Sequence, residues 1–191
     1  AASAPFLLIM DDDLDLDADG LAAIIAAFVD DPALDFLTVC ADLAVPGSRR
    51  LPPPGHDLSR PWPFYWPISF EIALRRASVE WVGARFSLLA GIGAPVLAAG
   101  EENLFVHSLI RAGLRGVFSG IRIGVHDHAT TSEREALNPA LLKAKGAVMR
   151  ITRGSLPALV RLPLEACRAE MPFIKALGAL VGGYLYSIKH R

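Results

Sequence analysis

Pro5-Phe-Leu-Leu-Ile-Met-Asp-Asp-Asp-Leu-Asp-Leu-Asp-Ala-Asp-Gly20 is the stretch on which the reading of this chain turns. Five apolar residues, Phe6 to Met10, run into three consecutive aspartates, and Asp15, Asp17 and Asp19 follow at alternate positions. A short continuous apolar run is the pattern of a strand buried on both faces. Carboxylates crowded this closely repel one another, so they need a cation, hydrogen-bond donors or open water. Two readings fit: a cation site at the C-terminal edge of an α/β sheet, or a solvated acidic turn ending in a helix N-cap. A calcium loop does not fit. Asp15-x-Asp17-x-Asp19-Gly20 matches its first six positions, but the twelfth, where a bidentate carboxylate is due, is Ala26.

Downstream the period changes. Leu21, Ile24, Ile25, Phe28 and Val29 form one stripe of an amphipathic helix, with Asp17 or Asp19 as its cap and Asp31-Pro32 as its end. Asp35 to Ala41 reads as a second strand, and strand, helix, strand is the parallel α/β grammar. Residues 46–67 break the rhythm with seven prolines, the basic pair Arg49-Arg50 and the aromatics Trp62, Phe64, Tyr65 and Trp66. A loop of this length serves as a lid or binding loop, and its rings suit either packing or a pocket wall. Ile68 to Arg75 reads as a strand and Ala77 to Val82 as a short helical turn. In the loop from Phe86, Gly91 and Gly93 allow close backbone approach.

Gly100-Glu-Glu-Asn-Leu-Phe-Val-His-Ser-Leu-Ile-Arg-Ala-Gly113 reads as a helix with Glu101 and Glu102 in its first turn and Gly113 as its stop. Glu102 suits a general base there, or both glutamates simply complement the helix dipole. A strand from Val117 to Val125 ends at His126-Asp127-His128, where the two imidazoles of an extended chain share a side. They suit metal ligation, phosphate donation or an ordinary loop role. From Leu141 the chain reads as helices broken at Pro157, Pro163 and Pro172, the last of them carrying an apolar stripe from Phe173 to Ile188.

Composition narrows the classes. A chain of 191 residues, 52% hydrophobic and 20% charged, is globular and long enough to bury a sizeable core. A formal net charge of -1 gives no bulk electrostatic case for a nucleic-acid partner. The charge is uneven, however: acidic residues crowd the first 42 positions and the segment from Lys143 to Arg191 is basic. Such asymmetry suits a cation at one end and a phosphate or membrane surface at the other. Cys40 and Cys167 are too few for a disulfide scaffold and fit a reducing compartment. No secretory signal is visible, and the last apolar stretch is shorter than the ~20 residues of a spanning helix. The expected location is cytoplasmic; the C-terminal helix reads first as a core or docking helix and second as a peripheral contact on the inner face of the cell membrane.

Taken together, these residues resemble family 2 glycosyltransferases of the GT-A fold, in a bacterial polysaccharide-type subgroup. Leu8-Ile-Met-Asp-Asp-Asp13 looks like the family's strand-borne Asp-x-Asp motif, and Gly100-Glu-Glu102 is similar to its Gly-Glu-Asp motif. Ser69-Phe-Glu-Ile-Ala-Leu-Arg-Arg76, with Phe86 and Gly91-Ile-Gly93, resembles the acceptor-side strand and loop. A strand ending in histidine, here His126, follows in the same order. The resemblance spans about Pro5 to Ser132.

It implies an α/β chain with a partial, Rossmann-like mixed sheet of the GT-A type over residues 1–132 and a C-terminal helical extension over 133–191. Asp11, Asp12 and Asp13 would meet the metal-diphosphate, with Asp11, Asp13 and His126 as ligands of Mn²⁺ or Mg²⁺. Glu102, with Glu101 beside it, would supply the base; Trp62, Trp66, Gly91, Gly93 and Gly100 would line the substrates. The implied activity is inverting transfer of a sugar from a nucleotide-diphosphate donor to a glycan or lipid-linked acceptor. The competing readings are a non-catalytic binding or assembly module and a metal-dependent nucleotidyl transferase. The family's opening strands, which hold the nucleotide base, have no counterpart before Ala1. The expectation is therefore an exposed sheet edge, and with it instability, aggregation, or pairing with a partner chain or oligomer.

Overall fold

The computed structural model describes residues 3–44, 49–60, 62, 65–127 and 138–189. They divide into two compact units. The first comprises residues 1–85 and 106–129, the second 86–105 and 130–191.

The first unit is a mixed α/β sheet. Its strands are β1 (Phe6–Leu8), β2 (Leu14–Leu16), β3 (Phe36–Leu43), β4 (His56–Asp57), β5 (Ile72–Arg75) and β6 (Gly116–His126). Their spatial order is β1-β5-β3-β6-β2, and β4 also pairs with β6. Among these strands β3 and β6 are parallel neighbours, and the other described strand pairings are antiparallel. The expected strand-helix-strand unit thus holds in direction but not in adjacency. β1 and β3 run the same way, and β5 lies antiparallel between them.

Helix α1 (Ala18–Asp30) covers one face of this sheet. Its Ile24 and Phe28 pack with Leu37 and Val39 of β3, Ala73 of β5 and Ile123 of β6. Residues alternate in side along β3, and Tyr65 meets β6 edge-on through Phe118, which pairs with Thr38. Asp17 is the N-cap of α1, its carboxylate accepting from the Asp19 amide at 3.0 Å. At the other end Arg75 donates to the carbonyls of Phe28, Asp31 and Leu34 and lies over the stacked rings of Phe6 and Phe28. A cation on the last carbonyls of a helix satisfies groups the helix itself leaves open. Gly20 closes the contact between helix and sheet, since a Cβ there would run into the backbone of Arg122 and Ile123.

Two expectations are corrected here. Asp15, read as part of a solvated turn, lies on β2, which pairs with the end of β6. The run from Ile68 is strand only in its second half, because Ser69–Glu71 forms a 3-10 turn before β5. Helix α2 (Arg76–Val82) follows β5 directly and stops at Gly83, whose φ is +63°. The border between the units falls within α3 (Glu101–Arg111).

The second unit contains α4 (Pro139–Arg153), α5 (Ser155–Ala166) and α6 (Phe173–Lys189). Pro157 and Pro163 do not break the chain as the sequence suggested; both lie within α5. Pro157 occupies the first turn, where an N–H has no intrahelical partner, and Pro163 forfeits a single bond in the last turn. The break before α5 is Gly154, while Pro172 does precede a helix, accepting from Lys175 and Ala176. α4 and α6 approach closely through small residues. A Cβ on Gly183 would collide with the carbonyl of Lys143, and one on Gly146 with that of Leu180. Gly178, on the exposed side of α6, has open space around it. Among the described residues no helix is long and apolar enough to cross a membrane.

These two glycines of α6 should respond with opposite sign. Gly183→Ala is expected to lower unfolding free energy by roughly 1–3 kcal/mol through overpacking. Gly178→Ala should raise it by about 0.5–1 kcal/mol by relieving the helix of a glycine. Urea melts of the two variants against the parent chain check both signs.

Candidate metal centre

Beyond β1 the backbone keeps to the sheet for one more bond, Ile9 N–H to the Ile72 carbonyl at 3.1 Å, and then turns through Asp11, Asp12 and Asp13 into β2. Pairing of β2 with β6 sets Leu14 opposite His126, so Asp13 arrives beside the imidazole. The Asp13 Oδ1 and His126 Nε2 atoms are 3.2 Å apart. Asp11 lies on the other side of the turn, and one donor atom from each of Asp11, Asp13 and His126 falls within 4.8 Å of the others. Ligands around a six-coordinate divalent ion at ~2.1 Å stand about 3 Å apart when adjacent and just over 4 Å apart when opposite. The cluster therefore fits such an ion with small side-chain adjustments. Asp12 is exposed.

The ligand side chains are held from outside the cluster. The Ser69 hydroxyl lies 3.0 and 3.1 Å from the two oxygens of Asp11 and donates to that carboxylate. The Phe70 ring stacks on His126 at 4.9 Å, and His126 is only 4% exposed. Both residues belong to the 3-10 turn, whose third residue, Glu71, is completely buried. Arg49 donates to both oxygens of Glu71 at 2.6 and 2.7 Å and, at 2.8 Å, to the carbonyl of Trp66. The Ile68 amide closes the turn on the same carboxylate at 3.3 Å. Arg49 also lies over the Tyr65 ring, whose phenol is pushed strongly up by burial and by nearby Glu71, keeping it neutral. A bidentate Arg–carboxylate pair is the arrangement that makes a buried charge tolerable.

The aspartates of the opening stretch divide between two tasks. Asp11 and Asp13 join the cluster. Asp17 caps α1 and also reaches Arg122, which lies between it and Asp42. Asp15 and Asp19 are exposed.

The remaining expected site residues lie elsewhere. Trp62 is half-buried with its ring edge-on to His56, and Trp66 is half-buried, tied through its carbonyl to Arg49. Glu101 and Glu102 form the first turn of α3, in the second unit. Gly91, Gly93 and Gly100 belong to that unit as well, all with positive φ. A Cβ on Gly91 would press on the Glu101 carboxylate, and one on Gly100 on Val148 of α4, so these glycines admit neighbours. His128 lies outside the described residues. The residues that sequence reasoning missed are Ser69, Phe70, Glu71 and Arg49 as supports. A signal existed: Glu71 is a lone carboxylate in an apolar run, and such a residue, when buried, calls for a cation or hydrogen-bond donors beside it. Comparison with protein-family models and with curated proteins finds no match for the chain.

Arg49→Met should destabilise the first unit by about 3–5 kcal/mol, because it strands a buried carboxylate. Pairing it with Glu71→Leu should recover most of that loss, read as a return of the urea midpoint.

Proposed function

We propose that the chain is a divalent-metal-dependent, inverting glycosyltransferase related to the GT-A fold, and that Asp11, Asp13 and His126 hold the ion. The observation that carries this reading is the convergence of two carboxylates and one imidazole at the mouth of an α/β sheet. Two carboxylates leave coordination positions for substrate oxygens, which is how diphosphate substrates are commonly held. The nitrogen donor favours Mn²⁺ over the oxygen-seeking Mg²⁺. Bound there, the ion would supply Lewis-acid stabilisation of a diphosphate leaving group.

The other roles fall to this chain's own side chains. Glu102, in the first turn of α3, is the residue that the resemblance offers as general base for the proton of an acceptor hydroxyl. Asp12, exposed beside the ligands, is free to turn toward the donor. Ser69 fixes the Asp11 carboxylate and Phe70 fixes the plane of His126, so the ligands are oriented before an ion arrives. Trp62 and Trp66 form part of the acceptor wall. Gly91, Gly93 and Gly100 give the acceptor loop its close turns.

Three measurements test this reading. Mn²⁺ titration should show one site, weakened at least tenfold by Asp11→Asn, Asp13→Asn or His126→Gln, in line with the loss of a ligand. With Mn²⁺ present, a panel of nucleotide sugars should yield release of nucleoside diphosphate, abolished by a chelator. Glu102→Gln should abolish transfer while leaving donor binding nearly intact; equal loss of both would remove Glu102 from the base role. Preferential hydrolysis of nucleoside triphosphates would favour a nucleotidyl transferase instead.

A further inference from the structure

Helix α5 is apolar on its outward face as well as its inward one. A helix on a water-soluble unit turns apolar residues inward and charge outward. Here the buried positions are Ala158, Leu162, Glu165 and Ala166, so a carboxylate lies inside, paired with Lys145 at 3.1 Å. The outward positions are Leu156, Leu159, Val160, Pro163 and Leu164, one continuous helical stripe with no charged side chain among them. Leu156 is 71% exposed and Val160 64%. Helix α6, which packs against α5, adds Phe173 and the 84% exposed Ile174 at its start. Isolated exposed leucines are ordinary, but an apolar stripe along a whole helix marks an interaction surface.

Charge identifies the occupant. Residues 138–189 contain eight Lys and Arg against two Glu, whereas the rest of the chain contains eleven against eighteen Asp and Glu. One of the two glutamates is the buried Glu165. Arg153 precedes the stripe in sequence, the half-buried Arg161 falls within its span on a neighbouring face of the helix, and Arg168 and Lys175 follow it. Burial, with Arg161 nearby, pulls Arg153 down to about 10, which leaves it charged at neutral pH. Two copies of this surface placed face to face would oppose like charges, which disfavours a homodimer through it. An anionic lipid surface complements it: leucines enter the acyl boundary while cations meet headgroup phosphates. At about 1.5 Å per residue α5 is roughly 18 Å long, well short of a bilayer core, so it would lie in the interface plane.

We propose that the outward face of α5 is a membrane-docking surface for anionic bilayers, with Leu156, Leu159, Val160 and Leu164 as its inserted residues. This inference does not depend on the transferase reading. It also moves the expected membrane contact from the last helix to α5, because α6 uses its Ala176, Leu180 and Gly183 stripe for packing.

The test is co-sedimentation of the whole chain with phosphatidylcholine vesicles, with and without phosphatidylglycerol. The expected result is binding at least tenfold tighter to the anionic vesicles, weakening with added salt. Leu159→Glu combined with Leu164→Glu should reduce that binding by at least tenfold while the thermal melt stays unchanged, because both side chains point outward. Leu164→Trp gives a second readout in an otherwise apolar stripe: the emission it adds over that of the parent chain, which already has Trp62, Trp66 and Trp81, should shift to the blue on adding anionic vesicles and be quenched by brominated lipid. Failure of the parent chain to bind anionic vesicles would overturn the proposal. So would undiminished binding by the double variant, or an emission added by Leu164→Trp over the parent chain that is blind to lipid. A concentration-dependent dimer that the double variant dissociates would assign the face to a second copy and overturn it equally.

Discussion

A carboxylate with no solvent exposure lies at the centre of the first unit, and Arg49 is what makes it stable there. Glu71 accepts two short hydrogen bonds from that guanidinium, which also holds the Trp66 carbonyl. Removing water from both charges costs several kcal/mol per ion, and only good geometry with satisfied hydrogen bonds repays it. The return is positional. Glu71 pins the turn that ends on it, and that turn sets Ser69 on Asp11 and Phe70 on His126. The loop that brings Arg49 and the turn that carries Glu71 are separate segments of the chain, so one ion pair joins the proline-rich segment to the ligand cluster.

The cluster also depends on how the strands meet. β1 delivers Asp11, β2 carries Asp13 into register, and β6 ends on His126. No single element contains the site. Gly124 permits this convergence, because its φ of +149° and missing side chain let β2 lie against β6 at Asp15. The second unit organises itself differently, by helices that approach through glycine rather than by strand register. Gly91 lies against Glu101 at the start of α3, and Gly100 against Val148 of α4.

Several elements were legible in the sequence. The apolar run at Phe6, the stripe of α1, the strand from Phe36 and the strand ending at His126 all announce themselves through local period and punctuation. The separation of Asp11 and Asp13 from Asp17 and Asp19 was legible too, since a cap lies at a fixed offset from its helix. β2 was not, because three residues with an aspartate in the middle carry no strand signal; it exists only because the edge of β6 is there to pair with it. The insertion of β5 between β1 and β3 is a non-local choice that periodicity does not encode. The Arg49–Glu71 partnership spans 22 positions, with nothing in the spacing to connect them. The prolines of α5 misled for a physical reason: each falls where a helix has a bond to spare or little to lose.

Strand β2 has three residues and leans on a single neighbour. Elements with few contacts open locally at a fraction of the free energy of global unfolding, and a three-residue edge strand is one of them. Asp11 rests on Ser69 and His126 on the centre of the sheet, whereas Asp13 is tethered through this strand. In the proposed metal-bound form, the residence time of the ion is then governed by the breathing of three residues rather than by the durability of the domain. One ligand acts as a latch while the other two stay in place.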